Sequence, residues 1–308
     1  MKIIRTQDEL KSLPDEFCSH ITIGSFDGIH LGHQKLISRV VETSRQNNCT
    51  PAVFTFPNHP LSLLAPPYKP ARLTSDEERI QLFKDLGVKL LILATFDRSL
   101  ARVTPEEFVK DILLEKLKVR HVVCGYNFRF GKNGGGDEAF LREMAACHGF
   151  SVEQVDPVKI SHVIVSSTKI RELLTQGLVT LAGEFLGRPY SLKCPVIKGK
   201  GRGRHMEYPT ANLAPPEDIL VPANGVYAVK VVINNHTYNG MMSIGTNPTF
   251  PPKNFSLEVH VFDFDGNLVG EELEVRFIKK LRLEIRFDSR EDLMEQLRRD
   301  EEIARKFL

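Results

Sequence analysis

Gly24-Ser25-Phe26-Asp27-Gly28-Ile29-His30-Leu31-Gly32-His33 is the stretch on which the reading of this chain turns. A short apolar run, Ile21–Gly24, leads into it and predicts a strand; apolar residues at helical spacing lead out of it and predict a helix over Leu31–Gln46. The stretch is therefore a strand-to-helix turn. Gly24, Gly28 and Gly32 let backbone approach a ligand closely. The free amides and positive dipole end of the helix favour phosphate there. His30 and His33, three residues apart, project from one side of the first helical turn, where imidazoles could meet an α-phosphate and a departing pyrophosphate. The same histidines also suit a role as helix caps or core residues. A zinc reading finds no third ligand at a sensible spacing.

Working outward, further strands are predicted at Ala52–Phe56, Leu90–Ala94, His121–Gly125 and Ser151–Val155, with helices at Ser75–Leu86, Thr104–Lys116 and Asp137–His148. Such alternation of near-continuous apolar strands with amphipathic helices predicts a parallel sheet covered on both faces, with ligands beyond the carboxyl ends of its strands. Past Gly187 the texture changes to period-2 strands at Gly225–Ile233, Thr237–Ile244, Leu257–Phe262 and Leu273–Phe277, punctuated by Asn234-Asn235, Thr246-Asn247-Pro248 and Asp265-Gly266. Asp265-Gly266 is expected to be a hairpin turn. The stretch from Ser289 to Leu308 is helical, with Leu293, Leu297 and Ile303 as its apolar stripe. The expectation is two domains, residues 1–185 α/β and residues 186–308 a small antiparallel β-domain closed by a C-terminal helix.

The composition is that of a globular protein with ample core: 308 residues, 42% hydrophobic and 26% charged, with a net charge of only +2 that marks no global field for nucleic acid or membrane. Five cysteines, Cys18, Cys49, Cys124, Cys147 and Cys194, are scattered without a C-x-x-C, which argues against a disulfide framework. No signal-like apolar segment or membrane span is apparent, so a cytoplasmic enzyme is expected.

A second cluster, Ser166-Ser167-Thr168-Lys169-Ile170-Arg171, sits at a predicted helix start after the Val163–Val165 strand and offers hydroxyls, amides and an arginine to a phosphate. Alone it could be an N-cap with a surface arginine. Together, Gly24–His33 and Ser166–Arg171 resemble the nucleotidylyltransferase superfamily, with its H-x-G-H and late S-S-T-x-I-R signatures. Thr55-Phe56-Pro57-Asn58-His59-Pro60 and Gly125-Tyr126-Asn127-Phe128-Arg129-Phe130-Gly131 narrow the match, being similar to the flavin-binding loops of the prokaryotic bifunctional riboflavin kinase/FMN adenylyltransferase (FAD synthetase) family. The family often has proline where this chain has Asn58.

Downstream, Gly199-Lys200-Gly201-Arg202-Gly203-Arg204-His205-Met206-Glu207-Tyr208-Pro209-Thr210-Ala211-Asn212 resembles the glycine-rich loop and P-T-A-N of the kinase module, with Glu207 where that family usually has glycine. Read without the family, Lys198–Arg204 is a basic loop that might touch RNA. Leu257-Glu258-Val259-His260 resembles the strand carrying the kinase carboxylate; by residue pattern alone, Glu258 could be an exposed strand acid on the face it shares with His260.

The resemblance implies a Rossmann-like nucleotidyltransferase domain followed by a riboflavin kinase-like β-barrel. It implies ATP, riboflavin, FMN and FAD as partners, with flavins as substrate and product and Mg²⁺ accompanying ATP. His30, His33 and Glu258 would be catalytic. Gly24, Phe26, Asp27, Gly32, Ser166, Thr168, Arg171, Gly199 and Arg202 would bind nucleotide; Asn58, Asn127 and Arg129 would bind flavin; Thr210 and Asn212 would hold the metal. Nucleic acid is not an expected partner, and oligomeric state is open. The alternatives are a chain keeping one of the two activities, or a non-catalytic flavin- or RNA-binding regulator.

Overall fold

The N-terminal part assembles around β2 (Ser19–Ile23), whose five residues are all buried. In this computed structural model, which describes residues 1–6, 9, 13–14, 16–57, 70–199, 208–246 and 255–308, the chain divides into two compact units, Met1–Val165 and Ser166–Leu308.

In the first unit, α1 (Leu31–Gln46) follows β2, then β3 (Thr50–Thr55), α2 (Asp76–Asp85) and β4 (Leu90–Leu93). A short helical turn, Pro105–Glu107, is capped by a reciprocal Thr104–Glu107 box and continues as the wider π-helix Phe108–Lys116. Next come β5 (Val119–Gly125), α3 (Glu138–His148) and β6 (Ser151–Val155). The sheet is wholly parallel in the order β1-β4-β3-β2-β5-β6, as the apolar strand runs imply. Its edge strand β1 (Lys2–Ile4) was not foreseen: three residues carry too little pattern to be read, and pairing with β4 makes them a strand. The strand order reverses at β2, with β3 and β4 added on one side and β5 and β6 on the other, so the turn after it opens at the topological switch point, where such sheets bind ligands. A small hairpin, β7 (Lys159–Ile160) with β8 (Val163–Ile164), closes the unit.

One expectation fails in this unit. Cys18 and Cys49 form a disulfide, Cα–Cα 5.0 Å, although 31 positions separate them. They precede Ser19 and Thr50, which are register partners on neighbouring parallel strands, so the sheet brings the two sulfurs together. Scattered spacing held no hint of that.

The second unit begins with α4 (Ser167–Thr175) and α5 (Val179–Leu186). It continues with β9 (Tyr190–Ile197), β10 (Ala211–Leu213), β11 (Gly225–Ile233), β12 (His236–Gly245), β13 (Ser256–Val261) and β14 (Glu272–Arg282). These six strands form a closed antiparallel barrel, β10-β13-β12-β11-β14-β9, with β10 completing the ring against β9. The Asn234-Asn235 turn joining β11 and β12 has both residues at positive φ, 49° and 65°, the twist a tight hairpin needs. Asp265-Gly266 is not a hairpin turn: β13 and β14 lie apart in the barrel, separated by β12 and β11, and the segment connects non-adjacent strands.

The last helix, α6 (Arg290–Arg305), starts at the Ser289 cap. Its inward face is Met294, Leu297 and Ala304 rather than a stripe through Ile303, which is 41% exposed. Buried Asp300 on that face takes a two-pronged ion pair from Arg282 of β14, 2.7–3.0 Å.

Candidate active sites

At the end of β2 the backbone bends sharply, with positive φ at Phe26 (48°), Gly28 (81°) and Ile29 (39°). For Phe and Ile that conformation is costly, and it persists because their side chains are fully buried. His30 then serves as N-cap of α1: the His33 N–H donates to His30 Nδ1 at 3.3 Å. The two imidazoles stack at 3.6 Å between centroids, 17° from parallel. Capping and ligand-facing roles are thus compatible in one pair. Gly32 leaves room for that stack: a Cβ there would stand 3.2 Å from two atoms of the His30 ring, which would have to give by a few tenths of an ångström.

Beneath, Phe26 meets His33 edge-on at 5.0 Å. Although His33 keeps a partly exposed edge, protein atoms surround its ring; this burial, helped by His30 and Arg79 nearby, pushes its imidazole well below the usual range. His33 is therefore neutral at pH 7, and among the described residues its buried Nδ1 meets no hydrogen-bond partner. Asp27 turns away from this surface: both its oxygens accept from the Leu73 N–H, at 3.0 and 3.1 Å, which fixes the loop entering α2.

Sequence reasoning overlooked Arg79. Within Asp76-Glu77-Glu78-Arg79 it reads as one more charge on a solvated helix, yet it is 5% exposed. Its guanidinium donates to the Ser25 carbonyl at 3.0 Å, the Phe56 carbonyl at 2.9 Å and Asp76 at 2.8 Å. It ties together the loops that leave β2 and β3. The Thr55 hydroxyl adds a second tie, donating to the Ser25 carbonyl at 3.1 Å.

After β5, Asn127 is exposed, with its Oδ1 3.9 Å from where a Gly125 Cβ would be. Arg129 pairs with Asp137, the N-cap of α3, at 2.9 Å. Phe128 and Phe130 stack at 5.3 Å and anchor this loop in the core. Asn58 lies outside the described residues. Ser166, Thr168 and Arg171 share the first turns of α4 in the second unit, where the Ser166 hydroxyl caps the helix by accepting from the Lys169 N–H at 3.2 Å. The Leu174 carbonyl accepts from the Ala223 N–H of the same unit at 3.0 Å.

The second cluster lies on the outer face of the barrel. Strand pairing sets Asn212 of β10 opposite Glu258 of β13. Thr210, just before β10, donates its hydroxyl to Glu258 Oε2 at 3.2 Å, and Ser256 donates to Oε1 at 3.2 Å. Burial along β13 alternates as the sequence implied, placing Glu258 and His260 outward, and the His260 Nδ1–H donates to the Pro209 carbonyl at 2.8 Å. Gly199 completes the cradle, because a Cβ there would collide with the Asn212 amide. Arg202 and Glu207 lie outside the described residues.

Thr210, Asn212 and Glu258 gather hydroxyl, amide and carboxylate oxygens at one place, a donor set that fits a hard divalent cation retaining water and phosphate ligands.

A parallel α/β unit with a phosphate-oriented turn, followed by a closed barrel with an oxygen-rich cluster, defines a two-part protein of the nucleotidyltransferase-plus-kinase class. Residues 14–169 match the FAD synthetase family model and residues 186–308 the riboflavin kinase model. The chain is 36% identical to the bifunctional riboflavin kinase/FMN adenylyltransferase of Buchnera aphidicola subsp. Schizaphis graminum, over 100% of this chain and 99% of that protein. It is also 36% identical to that of Escherichia coli K12, over 100% and 98%. A crystal structure from Streptococcus pneumoniae, named a macrolide-efflux protein, superposes with a TM-score of 0.90 at 32% identity, covering 99% of both chains. That name is the Streptococcus protein's own; among the described residues here no helix is long and apolar enough to cross a membrane. The chain belongs to the bifunctional riboflavin kinase/FMN adenylyltransferase family.

Proposed function

We propose that the chain phosphorylates riboflavin with MgATP to give FMN, then transfers AMP from a second ATP to the FMN phosphate, giving FAD and pyrophosphate. The observation that carries the kinase half is the meeting of Thr210, Asn212 and Glu258 across paired strands. Glu258 accepts the proton of the riboflavin 5′-hydroxyl as that oxygen attacks the γ-phosphorus. Thr210 and Asn212 would hold Mg²⁺, which when bound would neutralise charge on the ATP phosphates. Gly199 and Arg202 bind the nucleotide.

In the transferase half the FMN phosphate is already an anionic nucleophile, so no strong base is needed. The capped His30–His33 pair and the amides of α1 face the α-phosphate and the leaving pyrophosphate. Backbone at Gly24, Phe26 and Gly32 approaches the nucleotide, and Asp27 holds that backbone in shape through Leu73. Thr168, Ser166 and Arg171 hold nucleotide phosphate; Asn127, Arg129 and Asn58 hold flavin.

The working boundary falls at 185/186, supported by the start of the riboflavin kinase match at 186. We place the enzyme in the cytoplasm, where its nucleotide substrate is made. Incubating the chain with riboflavin and MgATP, and separately with FMN and MgATP, then resolving flavins by chromatography, tests both halves. FMN and FAD are expected from the first mixture and FAD from the second; no FAD from supplied FMN would overturn the transferase half, and unphosphorylated riboflavin the kinase half.

A further inference from the structure

The first unit carries a polar cavity, of about 700 Å³, at the amino-terminal edge of its sheet. Its walls come from the beginnings of strands β2, β3, β5 and β6 and from α1. It therefore lies at the opposite end of β2 from the His30 turn, five residues or about 17 Å away. No step of the proposed reactions uses it. Both Cys18 and Cys49 line it, so the disulfide forms part of the wall.

The remaining lining is charged in both senses. Arg39 reaches Glu153 at 2.7 Å and Glu42 at 2.9 Å, while Arg120 stands exposed at the mouth with Glu16. The imidazoles are uncharged at neutral pH: burial, together with His121, lowers His20 to about 4, and burial lowers His121 as well. His121 joins two lining side chains, Ser151 through Nδ1 at 2.7 Å and Glu153 through Nε2 at 3.5 Å. A polar, charged cavity of ligand size with a disulfide in its wall is a place that a polar guest would fill.

We propose that this cavity binds a small peptide thiol bearing carboxylates and an ammonium group, and that Cys18–Cys49 is the disulfide with which the bound thiol exchanges. At the mouth, exposed Arg120 suits a carboxylate and exposed Glu16 suits the ammonium, while the Arg39–Glu153 pair forms the wall behind them. A guest held there has its sulfur beside the protein disulfide rather than in bulk water. Its thiolate attacks one protein sulfur, the S–S bond breaks, and the other cysteine leaves as a thiolate that takes up a proton. A second thiol of the same class then attacks the guest's sulfur in the mixed disulfide. The net change is two thiols oxidised to one small disulfide and one protein disulfide reduced to two thiols. Disulfides in a reducing compartment are characteristically of this exchangeable kind. The loop closed by the bond, residues 18 to 49, contains the whole His30 turn and α1, so the exchange sets how firmly the ends of β2 and β3 are joined.

Glutathione and 2-mercaptoethanol, compared at equal thiolate concentration on the oxidised full-length chain, test the proposal. Alkylation at timed intervals and peptide mass spectrometry follow Cys18 and Cys49, and the exposed Cys147 serves as an internal control. Glutathione should reduce the pair about tenfold faster, with a rate that saturates in glutathione and a trapped adduct on Cys18 or Cys49. Arg120→Ala should remove that preference and leave the 2-mercaptoethanol rate unchanged, with Cys147 reacting alike in both proteins. Rates linear in both thiols and equal to each other would overturn the proposal. So would an advantage that survives in Arg120→Ala, or cysteines that alkylate fully in the unfolded chain without any reductant.

Discussion

Glu258→Gln separates the two proposed reactions most cleanly. Glutamine keeps the size of the side chain and one carbonyl oxygen, so the Thr210 hydroxyl can still donate at the 3.2 Å it spans now. The Ser256 hydroxyl, 3.2 Å from the other oxygen, can rotate to accept from the new amide. Exchanging one such hydrogen bond for another changes stability by about 1 kcal/mol or less. What the amide cannot do is accept the proton of the riboflavin hydroxyl. A positioned general base accelerates by about 10²–10⁴-fold, so FMN formation should fall by that factor, equivalent to about 3–5 kcal/mol in the barrier. The assay is flavin chromatography after incubation with riboflavin and MgATP, beside a second incubation with FMN and MgATP and a thermal melt of the variant. The variant should melt with the parent, make FAD from FMN at the parental rate, and convert riboflavin at a small fraction of it. A kinase loss under tenfold, or an equal loss of FAD formation from supplied FMN, would refute the assignment of Glu258 as base.

Three further outcomes follow from the geometry. His30→Ala should abolish FAD formation from FMN while FMN formation from riboflavin continues, and removing the cap should cost about 1 kcal/mol in a denaturant titration; loss of both activities together would count against two separate sites. His20 is buried with its imidazole lowered from 6.5 to about 4. Because the unfolded chain takes up that proton first, its contribution is intact above pH 6.5 and drains away as pH falls toward 4. Urea titrations should therefore show stability falling over that window by up to about 3 kcal/mol, with a shallower fall in His20→Gln. Asp300→Ala removes the charge-assisted bonds to Arg282, which keeps the Leu283 carbonyl, and should destabilise the barrel by about 1.5–3 kcal/mol, read as an earlier urea transition; an unchanged midpoint would mean that α6 does not depend on the pair.

Much of the fold was legible because it is written locally. The helix bounds Leu31–Gln46 and the strands Ser151–Val155 and Gly225–Ile233 agree with the structure residue for residue. In each case the pattern repeats over several residues and ends at turn or capping chemistry. Ile303 misled because Leu293 and Leu297 pointed to it by spacing, whereas the inward face carries Asp300, paired with Arg282. Asp265-Gly266 misled because the dipeptide announces a turn without saying which strands it joins. The His30–His33 pair could be named from its motif, but not its stacking, its cap bond, or the room that Gly32 leaves for the stack.

The sequence by itself determined the kinds of element, the two-part division, and the residue chemistry at each motif. All of these depend on neighbours a few positions apart, where helical and strand periodicity operate. Only tertiary structure decided which strands pair and what those pairings juxtapose. The barrel closes through β10 on β9, and the pairing of β10 with β13 brings Thr210 to Glu258 across 48 positions. The parallel register of β2 and β3 joins Cys18 to Cys49, and Arg79 swings inward to tie Ser25 to Phe56. Such meetings are selected by the burial and hydrogen bonding of the whole sheet, a condition that no short window of residues contains.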